Sequence, residues 1–123
     1  MGFHYEIIDH VQLAAPKGGE MKARAFYGDV LGFEEIEKPD TLKKRGGVWF
    51  QAGNIHIHIG IDDPFVPAKK AHPAIRVKNI AAMKSFLKER RIDFREDNDL
   101  PQADRFYIDD PFGNRLEFLE WKT

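Results

Sequence analysis

A chain of 123 residues is long enough to bury a core, and the absence of cysteine excludes disulfides, thiolate metal sites and cysteine nucleophiles. Its 42% hydrophobic and 12% aromatic content suits a folded protein, and a formal net charge of −1 offers no field for nucleic acid or an anionic membrane. No apolar run approaches a bilayer span and the first residues lack a basic-then-apolar leader, so a cytoplasmic location without a membrane partner is expected.

Residues 8–16, IDHVQLAAP, are β-branched and apolar up to Pro16 and read as a strand. GGEMKARAFYGDVLGF follows, with Met21, Ala25 or Phe26, and Val30 at helical spacing. Gly32 stands where such a helix ends in a left-handed residue. Three short strands come next, over 33–38, 46–51 and 54–61, the last two joined by a hairpin at Ala52-Gly53. Residues 62–70 hold two prolines and no periodicity, which predicts a linker over 62–71.

The order then repeats. Residues 72–77 read as a strand, and Asn79 caps a helix over 80–91 that presents Ile80, Met83 and Leu87 on one face. Strands follow over 92–97, 104–109 and 114–121. Gly-Asn precedes the final strand of each half, at Gly53-Asn54 and Gly113-Asn114. The expected fold is α+β: one domain over 1–123, built from two βαβββ modules at 5–61 and 72–121.

Alternate residues of a strand share a face. In 114–121 both faces are apolar (Leu116 and Phe118, then Leu119), so Glu117 is expected to be buried. The opposite face of 72–77 from Pro73, Ile75 and Val77 carries His72, Ala74 and Arg76. In 54–61, four isoleucines alternate with His56, His58 and Gly60, and in 8–13 His10 shares a face with Gln12. Arg105 and Tyr107 alternate with Phe106 and Ile108. A carboxylate buried without a partner costs several kcal/mol. Two imidazoles and a dication would offset that cost; so would a salt bridge from Arg76, Arg105 or Arg115, and His56 and His58 also fit a half-exposed strand.

The chain resembles the vicinal oxygen chelate superfamily, also called the glyoxalase/bleomycin resistance/dioxygenase group. The likeness lies in DHV in the first strand, AFYGDVLGFE closing the first helix and DPFGNRLEF at the end, in that order along nearly the whole chain. It implies two βαβββ modules whose sheets curl around a metal-containing cleft. Carried over residue by residue, it implies His10, His72 and Glu117 as ligands of a divalent ion (Zn, Ni, Mn or Fe), with His58, and less so His56, at the place of a fourth ligand. It further implies a homodimer and a small substrate with vicinal oxygens, handled by a lyase, isomerase, transferase or dioxygenase. The alternative is an antibiotic- or metabolite-binding resistance protein without catalysis. Tyr107 as a hydroxyl donor, Arg76 or Arg105 as an anion clamp and His58 as a base complete the expected site. Two departures narrow it. The last strand of module one lacks the Glu or Gln common in glyoxalase I, and EDNDLPQADRFY lacks the Lys and Ser of fosfomycin-resistance thiol transferases.

Overall fold

A computed structural model describes residues 1–123. The chain forms two units, Met1–Val66 and Pro67–Thr123. No helix is long and apolar enough to cross a membrane.

The first unit contains β1 (Val11–Ala15), α1 (Glu20–Ala23) running on as a π-helical segment over Arg24–Val30, β2 (Glu34–Ile36), α2 (Asp40–Lys43), β3 (Val48–Ala52) and β4 (Ile55–Ile61). Its sheet has the order β1-β4-β3-β2, with β1 parallel to β4 and the other pairs antiparallel. Ile57, Ile59, Val48 and Phe50 are buried on one sheet face, and Tyr27 from the π-helical turn stacks on Phe50 with centroids 5.5 Å apart. Burying each such side chain contributes about 1.5–3 kcal/mol.

Three expectations need correction in this unit. The first strand starts at Val11 rather than residue 8, because its parallel ladder runs only from Val11↔Ile57 to Ala15↔Ile61. Residues 1–10 are exposed, Ile8 at 79%, so His10 precedes the strand and strand parity does not orient it. The buried helix residues are Ala23, Phe26 and Tyr27, while Met21 is 75% exposed; the π-helical turn widens the helix and shifts the face that meets the sheet. The short helix α2 also stands where no element was expected, between strands shorter than the sequence suggests.

The second unit contains β5 (Ala74–Arg76), α3 (Ile80–Glu89), β6 (Arg95–Glu96), β7 (Ala103–Asp109) and β8 (Arg115–Trp121). Its sheet order, β5-β8-β7-β6 with β5 parallel to β8, repeats that of the first unit. Asn79 caps α3 as expected: its side chain accepts from the Ala82 N–H at 3.2 Å, and the Glu120 carboxylate accepts from the Asn79 and Ile80 N–H groups. Ile80 and Leu87 of α3 are buried, as are Phe106, Ile108, Leu116 and Phe118 of the sheet. The alternation read for β7 and β8 is the one observed, since Arg105 and Tyr107 lie opposite Leu119 and Glu117 in the ladder. Two mixed four-stranded sheets with few helices make this an α+β fold of two βαβββ modules.

Candidate functional site

Before β8 the chain turns through Asp110–Asn114. The buried Asp110 carboxylate accepts from the Phe112 and Asn114 N–H groups at 2.9 and 2.8 Å and from the Asn114 amide at 2.9 Å. Gly113, at φ +91, supplies the left-handed residue this turn requires. The turn sets the register Asp109↔Arg115 and, two residues on, Tyr107↔Glu117, while the parallel edge places Glu117 opposite Ala74.

Glu117 is 5% exposed, and both of its oxygens are engaged. Oε1 lies 2.9 Å from His72 Nε2, and Oε2 accepts from Arg105 Nη1 at 3.4 Å. Arg105 also donates from Nη2 to Asp97 at 3.3 Å, while its Nε is buried without a partner. The Asp99 N–H, then Arg105, holds the Asp97 carboxyl below its usual value. His72 Nδ1 stands 2.8 Å from the Lys70 carbonyl, an acceptor, so Nδ1 carries a proton, and Nε2 faces the Glu117 carboxylate. Two acceptors at this distance need a second proton or a cation between them. Two donors each about 2.1 Å from a dication lie roughly 3 Å apart, so this pair has the spacing and the chemistry of metal ligands. The His72–carbonyl hydrogen bond is the kind that orients a ligating imidazole. Tyr107 stands edge-on to His72 at 5.4 Å, with the Arg115 guanidinium 5.4 Å from its ring centroid. Arg76 is exposed on β5, opposite Leu119.

In the first unit the polar face of the sheet carries an aromatic stack. His58 is 7% exposed and lies between His10, at 4.0 Å and 18°, and Trp49, at 3.8 Å and 6°. Burial, together with His10 and His56, lowers the His58 pKa from 6.5 to about 4, so its ring is neutral at physiological pH. His10 Nδ1 is held 2.9 Å from the Asp9 carboxylate. Trp49 escaped the sequence reading. Its signal was the β3–β4 hairpin register, in which Trp49 lies directly opposite His58. The second unit therefore joins His72, Glu117, Arg105 and Tyr107, and the first joins His10 and His58. Nowhere do three His, Asp or Glu side chains group as a metal-binding cluster.

Residues 7–118 match the family model of the Glyoxalase/Bleomycin resistance protein/Dioxygenase superfamily. The chain belongs to this superfamily. Among solved structures, this superfamily member is similar to a glyoxalase family protein from Bacillus anthracis, at 53% identity and TM-score 0.95 over 99% of this chain and 100% of that one. It is also similar to a glyoxalase family protein from Enterococcus faecalis, at 27% identity and TM-score 0.73 over 94% and 98% of the two chains. The fosfomycin resistance protein FosX from Listeria monocytogenes shares the superfamily fold at 16% identity and TM-score 0.73, over 95% and 94%. No curated protein matches the sequence.

Proposed function

We propose that this superfamily member is a metal-dependent enzyme acting on a small substrate with vicinal oxygens, by lyase, isomerase, transferase or dioxygenase chemistry. The observation that carries the reading is the part-buried His72–Glu117 pair, in which Nε2 of a ring held by the Lys70 carbonyl meets the carboxylate at 2.9 Å. His72 and Glu117 would supply ligands to a divalent ion (Zn, Ni, Mn or Fe). Such an ion, when bound, supplies Lewis acidity toward substrate oxygens.

The remaining roles fall to the chain's own groups. Arg105 holds the second Glu117 oxygen and so orients the carboxylate. Tyr107, beside His72, offers a hydroxyl donor, and the exposed Arg76 attracts an anionic group of the substrate. His58, neutral and stacked, fits a base or a support that orients the His10 ring. Its ring lies nearly parallel to His10, which suits support better than shared ligation, because a ligand's lone pair lies in its ring plane. A cytoplasmic homodimer belongs to the same reading.

A second reading is a protein that binds an antibiotic or metabolite without chemistry. It is favoured by Glu117 already having partners on both oxygens. Elemental analysis of protein purified without added metal, beside Glu117→Ala, separates the two. The enzyme reading expects a divalent metal in the wild type that the variant loses. Equal, near-zero occupancy in both, together with no thermal shift on adding Zn, Ni, Mn or Fe(II), would overturn it.

A further inference from the structure

The polar sheet face of the first unit holds a second feature, apart from the His10–His58–Trp49 stack. A cleft of about 140 Å³ opens beside Trp49, lined by Gln12, Lys38, Leu42, Arg45 and Gly60 among others. At about 30 Å³ per water, it has room for a group of roughly four or five heavy atoms.

Its charge is one-sided, for no acidic residue lines it. Of the nearby carboxylates, Glu37 and Asp40 pair with Lys43 and Glu35 with Arg24, while Glu20 stands behind Gly46, accepting the Gly47 N–H and acting on Lys38 from outside the lining. Arg45 makes no ion pair, and Lys38 is anchored on the Gly46 carbonyl with donor capacity to spare. Gln12 completes the donors. A Cβ on Gly60 would fall 2.3 Å from Gln12 Nε2, so it is the bare glycine that lets this amide lie over the sheet. Gln12 is opposite His58 in the β1–β4 ladder, which puts the cleft on the sheet face that carries the stack.

We propose that this cleft is an oxyanion subsite, taking the phosphate, phosphonate or carboxylate group of a small organic molecule. Lys38 and Arg45 supply the charge, the Gln12 amide a neutral donor, and Trp49 and Leu42 an apolar wall for the adjoining carbons. Arg45 suits either anion, since its planar fork matches both carboxylate and phosphate.

The test is a titration of the full chain, in the presence of a chelator, with inorganic phosphate in one arm and acetate in the other. It is read by calorimetry and by indole resonance shifts, with a Trp121→Phe background assigning the Trp49 signal. Saturable binding of at least one anion is expected, weakened about ten- to hundredfold by Arg45→Gln and by Lys38→Gln. Glu117→Gln should leave it unchanged, so the subsite and the metal reading fail separately. Binding unaltered in both cation variants, or no saturable shift of Trp49 with either anion, would overturn the proposal. The arm that saturates identifies which anion the cleft prefers.

Discussion

His72 meets Glu117 through the ring nitrogen that the backbone has left free: Nδ1 is held at 2.8 Å by the Lys70 carbonyl, and Nε2 faces the carboxylate at 2.9 Å. With Arg105 on the other oxygen, Glu117 is the one anion in direct contact with both groups. Glu117→Ala should therefore destabilise the metal-free protein by about 3–5 kcal/mol, since it removes the buried carboxylate that the Arg105 guanidinium faces. Glu117→Gln should cost less, because an amide still accepts from one neighbour. Urea unfolding with chelator checks this; a loss under about 1 kcal/mol for the alanine variant would show that the network contributes little.

The turn before β8 depends on one carboxylate. Asp110 accepts three hydrogen bonds from Phe112 and Asn114 while almost fully buried, so Asp110→Ala is expected to cost about 2–4 kcal/mol. Asp110→Asn keeps part of the geometry and should fall between. Hydrogen exchange should report the loss first at the Asn114 amide, and unchanged protection there would contradict the assignment.

Two glycines, Gly47 just before β3 and Gly60 in β4, should respond differently to alanine. Gly47 sits at φ +90, and an added Cβ would lie 2.2 Å from the Ile59 carbonyl, which is backbone and cannot swing away. Gly47→Ala should cost about 3 kcal/mol or more. At Gly60 the obstacle is the Gln12 amide, the end of a flexible exposed side chain, and the cost should stay under about 1 kcal/mol. Thermal melts that rank the two in the opposite order would refute the contact geometry.

Glu20 ties the first helix to the start of β3, accepting the Gly47 N–H at 3.0 Å. This bond, aided by Arg24 and Lys38, lowers its pKa from 4.5. The folded chain thus binds this proton more weakly than the unfolded one. The stabilisation is complete above pH 4.5 and fades as pH falls through the folded value. The stability gap between wild type and Glu20→Gln should be largest near pH 7 and should shrink by pH 3. Denaturation at both values decides it, and an equal gap at both would place the contribution outside ionisation.

How far the sequence revealed this arrangement depended on what kept each residue in place. Glu117 was legible because apolar residues on both faces of 114–121 leave a buried position whichever way the strand turns. Tyr107 and Arg105 followed from period-two alternation, which the register of β7 with β8 preserves, whereas His72 lies two residues before β5, which starts at Ala74 rather than at residue 72. His10 did not follow, because its orientation depends on where β1 begins, and that is set by pairing with β4, more than 40 residues on. The helix face was misread for a related reason: the π-helical turn at Arg24–Val30 alters the periodicity on which the reading relied. Trp49 needed knowledge of a cross-strand neighbour, which no single segment contains.

In each module the first strand lies parallel and adjacent to the last, with everything between them looped out. The His72–Glu117 contact accordingly joins residues 45 positions apart. Synthesis from the N-terminus makes His72 well before Glu117, so this contact forms only once the last strand of its module has been made. A ribosome-bound chain still lacking β8 has its glutamate unsynthesised and β5 without a sheet partner.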